Sequence, residues 1–279
     1  MKKFMISAFA DEYSDNFLEQ CKALNDFDIP FIEIRHADGK NISEMDKSDV
    51  LEMVKKLKDH NLGVSSIGSP IGKIKLDGDI QGHFDTAEKI FEYANMLGAK
   101  NIRAFSFYLP DNKTREECKT QVFDNLAKLL EIAQKYGVTL CHENEALIYG
   151  EGPNQCLELL DTFKGKLKCV FDMGNFVLDG YDPVKAYELL KDYVEYFHIK
   201  DSLSAGAIVP PGKGEAKIKE ILKAYDDSDK KPTFITLEPH LQTFAGLNAL
   251  VGKSFDNPYK YPDQKTAFTD AVKNLKELL

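Results

Sequence analysis

Eight short runs, rich in Val, Ile, Phe and Thr or nearly continuously apolar, recur along this chain at 4–10, 31–35, 63–69, 101–107, 138–144, 168–173, 194–200 and 233–238. Amphipathic stretches separate them. In 84–97, Ala87, Ile90, Phe91, Ala94 and Leu97 share one helical face, and in 116–136 Val122, Leu126, Leu129 and Ala133 do. Gly98 and Gly137 stand where helix C-caps belong. Strands that are apolar on both faces must be covered on both, which is the situation of a parallel sheet wrapped by crossover helices. Eight such units, with a helix after nearly every one, predict an α/β chain folded as a (β/α)8 barrel. No linker rich in Pro, Gly or Ser interrupts the pattern, so residues 1–279 read as a single domain. A doubly wound sheet would alternate the same elements, but it gives no reason for what happens at the ends of the last four runs.

Those four runs each stop at an acid or a histidine. They are Thr-Leu-Cys-His-Glu-Asn-Glu (139–145), Cys-Val-Phe-Asp-Met-Gly-Asn (169–175), Tyr-Phe-His-Ile-Lys-Asp (196–201) and Ile-Thr-Leu-Glu-Pro-His (235–240). Core packing explains such endings poorly, because an unpaired buried charge costs about several kcal/mol. Singly, each could cap a helix or be satisfied by a neighbour. Jointly they point to the rim where barrel strands end and barrel active sites lie. Side chains alternate along a strand, so Glu143 and Glu145 share a face while His142 and Asn144 share the other, and only one pair can point inward. Glu143, Asp172, His198 and Glu238 then make three carboxylates and an imidazole, a suitable ligand set for one divalent ion, Mn2+, Mg2+, Co2+ or Zn2+.

Composition removes other classes. The net charge of −9 gives no general positive field to gather phosphate backbones, so nucleic acid is not an expected partner. The five cysteines, odd in number and without a C-x-x-C pair, read as free thiols of a reducing cytoplasm. Met-Lys-Lys followed by Phe-Met-Ile-Ser-Ala-Phe-Ala imitates an export signal, but Asp11 and Glu12 follow at once, and no run is long enough to span a bilayer. A cytoplasmic protein without membrane contact is therefore expected, with association into a homo-oligomer left open.

With these motifs in place, the chain resembles the xylose isomerase-like TIM barrels of sugar isomerases and ketose epimerases. The resemblance follows strand order along the whole chain and is sharpest at HENE, FDMGN, HIKD and LEPH. In that family the four matching positions hold one divalent metal and the two glutamates also move protons. The resemblance thus implies a metal-dependent carbohydrate isomerase or epimerase with Glu143 and Glu238 as the paired acid and base. A Lewis acid on a sugar's carbonyl and neighbouring hydroxyl stabilises the enediolate left when the adjacent C–H proton departs. Returning the proton to the same carbon epimerises, returning it to the next isomerises, and loss of a β-hydroxyl would make a dehydratase of the keto-inositol type. Some family members place His three residues after the Asp, touching substrate or a second metal; here that position is Asn175. This weakens the alternative of an endonuclease IV-like phosphodiester hydrolase with a histidine-rich cluster. A sugar-binding barrel without catalysis is a third reading.

Arg103, Lys200, His240 and Glu145, with Asn175, are candidates to bind substrate, although each could equally be a solvated or ion-paired charge. Two glycine-bearing loops, 68–73 and 210–215, could shape specificity, but neither matches a P-loop and both read more simply as turns. Asp11-Glu12 and Arg35-His36 follow strands and could rim the pocket. The stretch 256–262 is expected to be a loop before a closing helix at 264–278.

Overall fold

The computed structural model describes residues 3–242 and 259–279. Strands β1 (Phe4–Ala8), β2 (Phe31–Ile34), β3 (Gly63–Ile67), β4 (Asn101–Ala104), β5 (Thr139–Glu143), β6 (Leu167–Asp172), β7 (Val194–Ile199) and β8 (Thr233–Leu237) close into one barrel. Each pairs in parallel with its neighbours in chain order, and β1 closes on β8 with Phe4 opposite Thr233 and Ala8 opposite Leu237. The eight apolar runs are the eight staves of a (β/α)8 barrel.

Helices α1 (Phe17–Asp26), α2 (Lys47–Asp59), α3 (Ile80–Leu97), α4 (Arg115–Tyr136), α5 (Pro153–Thr162), α6 (Met173–Leu178), α7 (Pro183–Leu190), α8 (Ile218–Asp226) and α9 (Gln264–Leu278) lie between and after the strands. Their ends are chemically marked. Thr114 and Glu117 form a reciprocal capping box at the start of α4, and Gly98 and Gly137 close α3 and α4 in the left-handed region. The faces read from the sequence are the buried ones: Ala87, Ile90, Phe91 and Ala94 on α3, and Val122, Leu126 and Leu129 on α4. Among the described residues no helix is long and apolar enough to cross a membrane. All five cysteines are free and buried.

Several boundaries differ from the sequence reading. The fourth strand stops at Ala104 instead of residue 107, because Phe105 and Phe107 donate their N–H groups to Ile71 O (2.7 Å) and Gly72 O (3.0 Å) in the loop after β3. The loops thereby continue the wall beyond the barrel, and bridges from Lys75 to Tyr108 and from Tyr108 to Ile148 extend it to the loop after β5. Two small hairpins, 36–37 with 40–41 and 201–202 with 208–209, and the one-and-a-half-turn α6 were not expected. Of the loop expected at 256–262, residues 256–258 lie outside the described residues and 259–262 carry no regular structure.

Candidate active site

The strand ends β5 to β8 bring Glu143, Asp172, His198 and Glu238 to one place. All four are buried, and each offers a ligand atom within 4.8 Å of the others. Glu143 faces the barrel interior and His142 the opposite side, where its Nε2 lies 3.0 Å from Ser106 Oγ. Asn144 extends the β5–β6 pairing with its side chain: its Nδ2 donates to Asp172 O (2.9 Å) and its Oδ1 accepts from Asp172 N (3.1 Å). Asp172 serves two neighbours. Its Oδ1 caps α6 by accepting from Asn175 N (2.9 Å), and its Oδ2 accepts from Lys200 Nζ (2.9 Å).

Three cations enter the same space. Arg103 Nη1 lies 3.2 Å from Glu143 Oε2, Lys200 Nζ 3.2 Å from Glu238 Oε2, and Arg35 Nη1 2.8 Å from Glu238 Oε1. Arg35 is in turn gripped by Asp11, with Nε 2.8 Å from Oδ2 and Nη2 3.1 Å from Oδ1. Such partners are required, since a buried carboxylate without them is displaced toward its neutral form. Burial pushes the Glu143 carboxyl up, but the charges of His198 and Arg103 overcome it and hold it at about 2. Glu238 is likewise held well below the carboxylate range, burial being outweighed by Lys200 and the neighbouring imidazoles. At Asp172 burial wins over Lys200 and pushes the carboxyl up to about 7. His198 is raised well above the usual imidazole value: burial opposes its charge, and Glu143, Glu33 and Glu238 more than restore it.

The donor set fits a divalent cation on a specific observation. Glu143 Oε2 and Glu238 Oε2 are buried side-chain oxygens with no hydrogen bond, and both belong to the four-residue cluster. Arg103 and Lys200 approach these two oxygens at 3.2 Å as ion pairs without a hydrogen bond, so their acceptor capacity is unfilled, and hard oxygen donors with one imidazole suit Mn2+, Mg2+, Co2+ or Zn2+. A second donor trio, Glu12, Glu238 and His240, shares Glu238. The Arg35 guanidinium already occupies that side, 2.8 Å from Glu238 Oε1 and 3.5 Å from His240 Nε2, and this permanent charge disfavours a second cation there.

The remaining candidates divide. Arg103, Lys200 and Asn175 are in the cluster: Lys200 also donates to Asn175 Oδ1 (3.0 Å), and Asn175 Nδ2 donates to Asn144 O (2.9 Å). His240 sits behind Glu238, 3.4 Å from its Oε1, where burial pushes the imidazole down to about 3. Glu145 lies past the strand end and turns to Lys73 Nζ (2.9 Å) on the mouth, so the parity it shares with Glu143 along an ideal strand does not bring it into the cluster. Amides of both glycine loops bond the chain's own side chains. Gly212, Gly214 and Ala216 N–H groups all donate to Asp201, and Gly72 N donates to His83 Nε2. Two residues with central positions escaped the sequence reading or were left as rim charges: Glu33, buried on β2 against His198 Nε2 (3.2 Å), and Arg35. A glutamate inside the doubly apolar run Phe-Ile-Glu-Ile was the signal available for the first.

Comparison with known proteins fits this geometry. The sequence profile described as xylose isomerase-like TIM barrel matches residues 21–278. The chain belongs to this family. The xylose isomerase-like chain is also 29% identical over 159 residues to a probable L-ribulose-5-phosphate 3-epimerase, UlaE, of Mycoplasma pneumoniae, a match covering 56% of this chain and 51% of that protein. It thus spans about half the length of the curated relative it matches. Among solved structures, this xylose isomerase-like barrel superimposes on a D-allulose 3-epimerase from Methylomonas sp. with a TM-score of 0.76, 17% identity and coverage of 100% and 99% of the two chains. It superimposes on the IOLI protein, solved with a bound zinc atom, with a TM-score of 0.75, 18% identity and coverage of 99% and 98%. At these identities the likeness is one of fold.

Proposed function

We propose that this protein is a divalent-metal-dependent sugar or sugar-phosphate epimerase or isomerase, with Glu143 and Glu238 as its paired acid and base. The observation that carries the reading is the pair of buried carboxylate oxygens without hydrogen bonds, Glu143 Oε2 and Glu238 Oε2, within one cluster with Asp172 and His198. The relatedness to a probable ketose-phosphate 3-epimerase supports the substrate class.

Glu143, Asp172, His198 and Glu238 would hold the ion, and when bound it would supply Lewis-acid stabilisation of the negative charge that develops on a sugar's carbonyl oxygen. The rest of the work belongs to the chain. Lys200 and Arg103 add fixed positive charge beside the reacting carboxylates, so a deprotonated substrate is matched by donors already in place. Arg35 holds Glu238 Oε1, while Oε2 faces Lys200 Nζ (3.2 Å) and His198 Nδ1 (3.3 Å) within the cluster and is the oxygen placed to take or give a proton. Glu143 is held at both oxygens, by His198 Nδ1 at 2.9 Å from Oε1 and by Arg103 Nη1 at 3.2 Å from Oε2. Two glutamates in one buried cluster, each with an oxygen that makes no hydrogen bond and only ion-pair contacts of 3.2–3.3 Å, suit removal of a proton at one face and its return at another. Free buried thiols accord with a reducing compartment such as the cytoplasm.

The test is proton exchange. With Mn2+ and a panel of ketoses, aldoses, their phosphates and keto-inositols in deuterated water, the wild type should incorporate deuterium next to the carbonyl, and Glu143→Gln and Glu238→Gln should each abolish incorporation. Wild-type exchange in either variant would sink the two-carboxylate mechanism. No exchange with any substrate, alongside measurable sugar binding, would favour a binding barrel.

A further inference from the structure

We propose that Glu33 is a positioning residue for His198, fixing the imidazole from across the barrel so that Nδ1 is the nitrogen offered to the ion; the inference rests on the metal-centre reading above. Glu33 lies on β2 and is 1% exposed, inside the lumen below the strand-end cluster. Its Oε2 is 3.2 Å from His198 Nε2, and its Oε1 accepts from the Tyr196 hydroxyl at 3.0 Å. The Tyr196 hydroxyl also lies 2.9 Å from Ser66 Oγ. The other imidazole nitrogen, Nδ1, faces the opposite way, 2.9 Å from Glu143 Oε1 and 3.3 Å from Glu238 Oε2.

The backbone is arranged for this contact. The β2–β3 register shifts between Ile32 and Glu33, so that Ile32 pairs with Val64 but Glu33 pairs with Ser66. Such a bulge re-aims a side chain, and this one puts Glu33, Ser66 and Tyr196 in a single polar layer. Two rings hold the imidazole plane: Phe9 meets His198 edge-on with centroids 5.2 Å apart, and Tyr196 at 5.4 Å. A carboxylate can only accept, so Nε2 carries the hydrogen it donates to Glu33; Nδ1 faces the Glu143 and Glu238 carboxylates of the cluster, and it is the nitrogen placed to give up its hydrogen in exchange for an ion. A ligating histidine whose second nitrogen is held by a carboxylate is oriented and made a better donor, and loss of that support costs about 10- to 100-fold in metal affinity.

The experiment has two arms on the full chain. Calorimetric titration of Mn2+ should show Glu33→Gln, nearly the same size as Glu33, binding about 10- to 100-fold more weakly than wild type while its metal-free circular dichroism spectrum is retained. Long-range 1H–15N NMR of the wild-type protein with Zn2+ should show His198 protonated at Nε2 and metal-bound at Nδ1, a readout that does not depend on the variant folding. Binding by Glu33→Gln within threefold of wild type, or a spectrum with Nε2 as the zinc-bound nitrogen, overturns the proposal. A wild type that takes up neither ion fails the metal-centre reading itself and the proposal with it.

Discussion

Asp201 holds the loop after β7 by four backbone N–H groups, and removing its side chain should loosen that side of the barrel mouth by a calculable amount. Its Oδ1 accepts from Ser202 N (2.9 Å) and Ala216 N (3.1 Å), and its Oδ2 from Gly212 N (2.7 Å) and Gly214 N (2.9 Å). Gly212 is exposed, so its amide can turn to water, but Ser202 and Ala216 are fully buried. A buried amide that loses its partner costs about 1–3 kcal/mol, so Asp201→Ala should cost about 4 kcal/mol from these two groups. Burial pushes the Asp201 carboxyl up while the amide donors pull it back, so its oxygens matter more as acceptors than as a charge. Asp201→Asn keeps one acceptor oxygen and should cost about half as much. A Cβ at Gly214 would collide with Asp201 Oδ1 and Ser202 O, so Gly214→Ala breaks the same set, and the double variant should add little to Asp201→Ala. Urea unfolding followed by far-ultraviolet circular dichroism measures all four. If Asp201→Ala lies within about 1 kcal/mol of wild type, the loop is not held in this way.

Three further outcomes are expected. Mn2+ at a hundred times its dissociation constant should raise the unfolding free energy by about 2.7 kcal/mol, visible as a melting shift of several degrees that a chelator reverses and Glu238→Gln abolishes; an unchanged melting curve would remove the metal site. Gly72 and Gly39 both have positive φ (86° and 83°), but a Cβ at Gly72 would strike the Phe105 carbonyl whereas one at Gly39 meets nothing within 4 Å, so Gly39→Ala should cost about 1–2 kcal/mol and Gly72→Ala clearly more. Burial lowers the pKa of His83, whose Nε2 accepts from Gly72 N at 2.7 Å. Below about pH 6.5 the unfolded chain therefore binds the proton first, and this contribution to stability, complete above that pH, should be lost as pH falls through the lowered folded value. Melting curves across that range should be steeper for wild type than for His83→Gln; parallel curves would show that His83 does not titrate this way.

How much of this could be read from residues alone depends on how local each cause is. The barrel was legible because strands buried on both faces leave apolar runs, and helices such as α4 announce themselves with a periodic apolar face and a closing Gly137. Glu143, Asp172, His198 and Glu238 were legible because each ends an apolar run with a group that cannot be buried alone. Glu33 is different: its partner His198 is 165 residues away, and only closure of the ring brings them together. Arg35 looked like any charge after a strand, and its burial depends on Asp11 and Glu238 arriving from both sides. The end of β4 was misplaced for a similar reason, since Phe105 and Phe107 leave the strand ladder for a loop whose path the local sequence does not dictate.

Arg35 also carries a consequence for how the molecule is assembled. It stands at the end of β2 and bonds Asp11, just past β1, and Glu238, just past β8, so it crosses the seam where the first and last staves meet. Glu238 reaches the cluster only when that seam is shut. Any ligand gathered by Glu238 together with Glu143 therefore stabilises the closed ring alone, and a chain halted with seven staves formed offers it no purchase. Occupancy of this rim would then report completion of the barrel as directly as it reports chemistry.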